Sequence, residues 1–220
     1  MDILQQLQLR PGLICLTGSG GKTTLAHRLA ASLPGRVIFC TTTRIYPSST
    51  LPLFLHGGAA ALDRLLAERR AVCVGTPASD GKLSAPLLPF CQLRQLADYV
   101  LVEADGSKGF PLKAHLPHEP VLPEGFDRNL LLVGASGFDC LISRAAHRPE
   151  HFAELAGCSI HNLATPDAIA AVLNAESGFD TVIVNQASGP KRIAGAGRLK
   201  ERLNVPLFAG ELQRGILAPL

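Results

Sequence analysis

Short apolar runs alternate with amphipathic segments along the whole chain. Leu13-Ile-Cys-Leu16, Val37-Ile-Phe-Cys40, Ala71-Val-Cys-Val74, Tyr99-Val-Leu-Val102, Asn129-Leu-Leu-Leu-Val133 and Thr181-Val-Ile-Val184 are continuously apolar or nearly so, and Pro206-Leu-Phe208 is a shorter candidate of the same kind. Such runs describe strands buried on both faces. Between the first two, Leu25, Leu29 and Leu33 recur at i, i+4 and i+8 and predict a helix over Thr24 to Leu33, stopped by Pro34-Gly35. Ala60 to Arg69 reads as a second helix, and Pro149 to Ala156 and Pro166 to Leu173 as two more with proline in the first turn. Strands and helices in this order predict an α/β fold with a mostly parallel central sheet covered on both faces. Pro77-Ala-Ser-Asp-Gly-Lys82 has the chemistry of a tight turn or hairpin. The stretch 106–126 carries four prolines and no periodicity. A connection that long inside a compact domain points to a lid or binding loop.

The 220 residues fit one domain spanning 1–220. With 47% hydrophobic residues the chain can bury a sizeable core. A net charge of +3 is too weak to mark nucleic acid as the partner. No apolar run approaches membrane-spanning length, and the start, Met1-Asp-Ile-Leu, lacks the basic-then-apolar pattern of a secretory leader. A cytoplasmic protein is expected. The six cysteines include no Cys-x-x-Cys pair, and Cys15, Cys40 and Cys73 lie in the apolar runs, where a thiol packs as a small hydrophobe.

The richest segment is Thr17-Gly-Ser-Gly-Gly-Lys-Thr-Thr24, set between the first strand and the first helix. There, Gly18, Ser19, Gly20 and Gly21 can turn backbone N–H groups inward around phosphate oxygens, and the helix start adds positive potential. Lys22 is placed to reach the β- and γ-phosphates, Thr23 to offer a hydroxyl to Mg²⁺, and Thr24 to complete the loop. The usual phosphate-loop pattern has glycine where this chain has Leu16, so only Gly21-Lys22-Thr23 match it strictly. The context predicts a three-layer P-loop NTPase-like domain.

The fourth strand runs into Glu103-Ala-Asp105, two carboxylates on one side of an extended backbone at the sheet edge where ligands bind. One can serve the Mg²⁺ shell and the other orient a nucleophile; spacing does not choose between them. Thr41-Thr-Thr-Arg44 ends the second strand at the same edge, and Arg44 is a candidate for offsetting transition-state charge. After the sixth strand comes Asn185-Gln-Ala-Ser188, where many GTPases read guanine through Asn-Lys-x-Asp. Asn185 fits, but Gln186 and Ser188 do not, so ATP is favoured over GTP. In the long loop, Lys108, Lys113 and His118 are candidates for gripping an anionic substrate. His115-x-x-His118-Glu119 has metal-ligand residue types, but Pro117 and Pro120 exclude the helix that aligns such a motif in zinc proteases. His147-Arg-Pro-Glu150 is either a substrate contact or a helix start, with local chemistry favouring the helix start, and Lys191, Arg192, Arg198, Lys200 and Arg202 read as a solvated helix face.

Gly18-Ser-Gly-Gly-Lys-Thr-Thr24 resembles the variant ATP loop of the Mur ligases. Together with Thr41-Thr-Thr-Arg44, Glu103-Ala-Asp-Gly-Ser-Lys-Gly-Phe-Pro-Leu-Lys-Ala114, His118-Glu-Pro-Val-Leu-Pro123, His147-Arg-Pro-Glu150 and Asn185-Gln186, it resembles the YqeC family across most of the chain. The segment from Glu103 through Lys113 is the specific part. That resemblance implies a P-loop nucleotide binder that assists maturation of a selenium-dependent molybdenum hydroxylase, with that client or its cofactor as partner. The reaction expected is Mg²⁺–ATP hydrolysis or phosphoryl transfer. The alternative is a nucleotide-gated delivery factor with little intrinsic turnover.

Overall fold

The computed structural model describes residues 6–220; the residues before Gln6, part of the segment read above for a leader, lie outside it. The elements follow the alternation of the sequence. β1 (Gly12–Gly18) leads into α1 (Lys22–Ser32), then β2 (Val37–Thr41), β3 (Leu53–Phe54), α2 (Ala59–Glu68) and β4 (Ala71–Val74). A hairpin of β5 (Thr76–Pro77) and β6 (Leu83–Ser84) precedes α3 (Phe90–Leu96) and β7 (Tyr99–Glu103). Next come β8 (Leu112–Lys113), β9 (Arg128–Gly134), α4 (Ile142–Ala145), β10 (Ala146–His147), α5 (Pro149–Leu155) and α6 (Pro166–Glu176). β11 (Thr181–Asn185), α7 (Gly189–Glu201), β12 (Leu207–Glu211) and β13 (Ile216–Pro219) complete the chain.

Nine strands form one sheet in the order β13-β12-β11-β9-β1-β7-β2-β4-β3. Only the β12–β13 pairing is antiparallel, so the expectation of a mostly parallel sheet holds. Side chains alternate between the two faces of each strand. Ile14 and Leu16 of β1, Leu130 and Leu132 of β9, and Val37 and Phe39 of β2 meet Leu25, Leu29 and Leu33 on one face. On the other, Leu13, Cys15, Ile38 and Cys40 pack under Leu62, Leu66 and Leu93 of α2 and α3. Further along that face, Leu131, Val133, Val182 and Val184 pack under Phe152, Ile169, Val172 and Leu199 of α5, α6 and α7. This is a three-layer α/β fold of the P-loop NTPase-like kind.

Among the described residues no helix is long and apolar enough to cross a membrane. All six cysteines are free. Burial pushes the Cys15 thiol up to about 12, with Asp127 and Asp180 adding to it, which suits a packing role.

The register of the middle strands sets the site. β1 lies between β7 and β9, and its Leu16 pairs with Glu103 of β7, which pairs in turn with Thr41 of β2. On the other side Gly18 pairs with Leu132, and Gly134 with Asn185. The carboxyl ends of β1, β2, β7, β9 and β11 therefore open together, and the strand order reverses about β1: β2, β4 and β7 are laid down on one side of it before β9, β11 and β12 on the other. That is the place where open α/β sheets bind ligands.

Candidate functional site

The glycine loop fills the gap between β1 and α1. β1 itself continues to Gly18, and Leu16 is fully buried within it. The loop thus begins later than in the standard pattern, which explains why no glycine is needed at Leu16. Gly20, at φ +83°, cannot carry a side chain here, because a Cβ would lie 2.5 Å from the backbone of Gly134. At Gly21, with φ +141°, a Cβ would lie 2.3 Å from the Asn185 amide nitrogen. The loop is seated against its neighbours: Ser19 N–H donates to Leu132 O at 2.8 Å, and its hydroxyl to Phe110 O.

Lys22 is 4% exposed despite opening a helix. Its Nζ donates to Gly18 O at 2.6 Å and pairs with Asp105 Oδ1 at 2.9 Å. Asp105 Oδ2 accepts from Gly18 N–H at 2.7 Å, lies 2.5 Å from His115 Nε2 and 3.4 Å from Lys113 Nζ. One buried carboxylate therefore faces three cationic groups and a backbone donor. Burial opposes its ionisation, but Lys22, the His115 hydrogen bond and Lys113 outweigh that and hold its carboxyl well below the usual range.

His115 extends the network. Its Nδ1 lies 2.8 Å from Glu176 Oε2 at the end of α6, and its backbone N–H donates to Glu176 Oε1 at 2.5 Å. A carboxylate on each ring nitrogen favours the form in which both nitrogens donate, the imidazolium. Burial pulls its pKa down, yet the bonds to Asp105 and Glu176 prevail and raise it. Lys113 Nζ donates to Gly106 O at 2.7 Å and pairs with Glu119 at 3.1 Å; Arg148 also pairs with Glu119. Although burial works against it, Glu119 is drawn down to about 2 by Arg148 and Lys113.

The two acids at the end of β7 have separate surroundings. Glu103 Oε2 accepts from the Thr23 hydroxyl at 2.8 Å, while Asp105 belongs to the Lys22 network. Burial raises the Glu103 pKa, and Asp105 adds to this, against the opposing pull of Lys22 and Thr23. Thr41 donates to the Glu103 backbone carbonyl at 2.6 Å and fixes that strand end.

Beyond the loop opens a cleft of about 1100 Å³. Gly20, Gly21, Lys22, Thr23, Thr24 and Glu103 form its floor, with Arg44 and Lys82 at one side and Lys108, His147, Arg148 and Gln186 among its other walls. Arg44 pairs with Asp80 of the β5–β6 turn at 3.3 Å, and an Ile45–Leu83 bridge ties its segment to that hairpin. Lys108 stands exposed at the rim. Lys113 and His118, expected to grip a substrate, stand elsewhere: Lys113 is buried behind the cleft wall in its ion pairs, and His118 is exposed outside the lining. Among the described residues no cluster of three His, Cys, Asp or Glu side chains is arranged to hold a metal; both His115 nitrogens face carboxylates.

Asn185 is 5% exposed, with its amide bound on both sides. Nδ2 donates to Gly20 O at 2.7 Å, and Oδ1 accepts from Leu212 N–H at 2.9 Å. It ties β11 to the glycine loop, and Gln186, at φ +60°, is the neighbour that reaches the cleft. The residues that sequence reasoning passed over are Ser107, Phe110 and Glu176. Glu176 is 61 positions from its partner His115, a pairing that no local pattern announces.

Comparison with known proteins bears on the same segments. The family of the YqeC protein matches residues 14–150, from β1 through the start of α5. An Escherichia coli (strain K12) relative described as "Uncharacterized protein YqeC" is 31% identical over 186 residues, covering 80% of this chain and 73% of its own. The glycine loop, the Glu103–Lys113 segment and the His147-Arg148 pair all fall inside the matched region, and the chain belongs to the YqeC family.

Proposed function

We propose that this protein binds Mg²⁺–ATP in the cleft and hydrolyses it or transfers its phosphoryl group, in the maturation of a selenium-dependent molybdenum hydroxylase. The observation that carries the nucleotide reading is the loop Gly18–Thr24, lying at the carboxyl end of the central strand with Lys22 and Thr23 on the floor of the cleft. The donor set suits a hard cation: the Thr23 hydroxyl and the Glu103 carboxylate already share a hydrogen bond, and both are oxygen ligands of the kind Mg²⁺ takes. Thr23 and Glu103 would hold the ion, directly or through water, where it would neutralise phosphate charge. Asp105 pairs with Lys22 through Oδ1 and would act as its anchor. Lys22 would grip the β- and γ-phosphates, and Arg44 lines the same cleft as a further cation.

ATP is favoured over GTP because Asn185 has both amide faces occupied, and Ser188 offers no carboxylate for the guanine edge. A second reading, a nucleotide-gated factor that turns over only on its client, is favoured by the state of Lys22. Its ammonium is satisfied by Gly18 O and Asp105, so the loop is internally complete before any ligand enters.

Calorimetric titration of Mg²⁺–ATP and Mg²⁺–GTP into the wild type, Lys22→Ala and Thr23→Ala tests this. Expected are ATP binding tighter than GTP and losses of about tenfold or more in each variant, or at least about 1.4 kcal/mol. Thr23 is exposed, so its variant keeps the test sound if Lys22→Ala misfolds. Unchanged affinity in both variants overturns the reading.

A further inference from the structure

The cleft extends well beyond the glycine loop. At about 1100 Å³ it exceeds the range that houses a single drug-sized molecule, roughly 300–1000 Å³. The glycine loop accounts for its floor. Opposite stands a separately built wall, in which β8 and β10 pair in parallel outside the main sheet, Leu112 with Ala146 and Lys113 with His147. This small sheet fixes His147 and Arg148, and the 106–110 turn brings Lys108 and Phe110 to the same wall. The Phe110 and His147 rings stack with centroids 6.2 Å apart and planes 21° from parallel.

That wall carries backbone strain. Of six described non-glycine residues with positive φ, three line this cleft: Lys108 at +48°, Arg148 at +64° and Gln186 at +60°. Such conformations cost on the order of 1–3 kcal/mol each and collect where side chains are aimed at ligands. The wall is also electropositive. Among the described residues no acid pairs with Lys108, and Arg148 shares Glu119 with Lys113. His147 lies in the field of these groups: burial, then Arg148, Lys113 and Lys108 lower its pKa, with only Glu119 opposing. An anion arriving among these cations would offset their field and move the His147 pKa back upward.

We propose that Lys108, His147 and Arg148 form a second anion subsite, which holds a phosphate- or carboxylate-bearing small molecule in the cleft beside the nucleotide. The inference rests on the nucleotide reading only for what occupies the floor. The bound acid would stand as co-substrate facing the loop, which is what a transferase needs and a simple hydrolase does not.

The test uses the full chain with Mg²⁺ and a non-hydrolysable ATP analogue filling the loop. Inorganic phosphate in one arm and malonate in the other are titrated while the His147 ring signals are followed by NMR. Expected is a saturable shift in at least one arm, with the His147 titration midpoint moved upward. Lys108→Met and Arg148→Met should each weaken the anion by about tenfold, the loss of one charge-assisted hydrogen bond. Lys108 is exposed, so its variant remains informative if Arg148→Met misfolds. The arm that saturates identifies the acid as phosphate or carboxylate. Should the analogue itself fail to bind, the nucleotide reading falls, yet phosphate titration of the ligand-free protein still decides. A shift that needs Lys108 but not Lys22 upholds the subsite. A His147 signal unmoved in both arms, or a shift abolished by Lys22→Ala alone, overturns it.

Discussion

Replacing Asp105 by Asn removes one negative charge from the most heavily engaged buried position near the site. Lys22 lies 2.9 Å from Oδ1, His115 Nε2 2.5 Å from Oδ2, and Lys113 3.4 Å from Oδ2, with the Gly18 N–H donating to Oδ2 as well. The amide has no orientation that suits these partners. One way places its NH₂ against the Lys22 ammonium; the other places it against Gly18 N–H and the protonated His115. Removing one partner of a buried ion pair costs about 3–5 kcal/mol, because the remaining charges stay desolvated. His115 can shed its proton and relieve part of the excess, so the lower end, about 3 kcal/mol, is the floor expected here. That is a large share of the roughly 5–15 kcal/mol that stabilises a domain. At about 2–4 °C per kcal/mol for a chain of this size, the midpoint should fall by about 6–20 °C. Urea denaturation followed by far-UV circular dichroism near neutral pH, with a thermal melt alongside, measures both quantities. A variant within about 1 kcal/mol of wild type would refute the view that Asp105 anchors the loop.

Glu103→Gln should behave in the opposite sense. Burial already raises the Glu103 pKa, so a neutral isostere is well tolerated, and the fold should stay within about 1 kcal/mol of wild type. Its Mg²⁺-dependent nucleotide affinity should fall about tenfold or more, and calorimetry with and without Mg²⁺ that shows no such loss removes Glu103 from the metal site. His115→Gln should alter the pH dependence of stability. The folded-state pKa of His115 is raised above 6.5, so its contribution is complete below that value and is lost as pH rises through the folded pKa. Melting midpoints of wild type and variant should therefore lie furthest apart on the acid side and converge on the alkaline side; a gap that widens with pH contradicts the assignment.

The strands and the glycine loop were legible because their signals are local. Val37–Thr41 and Ala71–Val74 are continuous apolar runs, and buried parallel strands leave no other trace. Boundaries were less so: β7 continues to Glu103 because its ladder to Leu16 and Thr41 continues, which apolar content does not report. The elements that went unread, among them Leu53–Phe54, Phe90–Leu96, Leu112–Lys113, Ala146–His147 and Ile216–Pro219, are short or owe their form to a partner far away in sequence. The same division runs through the site. Glu103 and Asp105 were equivalent by spacing, and their difference comes from Thr23 on one and from Lys22, Lys113 and His115 on the other. Pro117 and Pro120 keep His115 and His118 off any helix, as their chemistry requires, but nothing local pointed to Glu176 as the group that orients His115.

The excess of cations around Asp105 has a physical consequence for any anion that enters the loop. Should Lys22 turn from Asp105 toward a phosphate, a buried carboxylate abandoned by its only cation would pay several kcal/mol of desolvation. Here it is not abandoned. Lys113 and the imidazolium of His115 remain on Oδ2, and the Gly18 N–H holds the same oxygen in place. Lys113 is itself held by Gly106 O and Glu119, and His115 by Glu176, so neither needs Lys22 to keep its position. Release of Lys22 thus exchanges one anionic partner for another while the rest of the network stays compensated. A site built with Asp105 and Lys22 alone would resist that exchange. The arrangement also separates two properties that mutation can distinguish: removing Asp105 is expected to strike stability first, whereas removing Thr23 or Glu103 should strike the proposed ligand binding and leave the buried network whole.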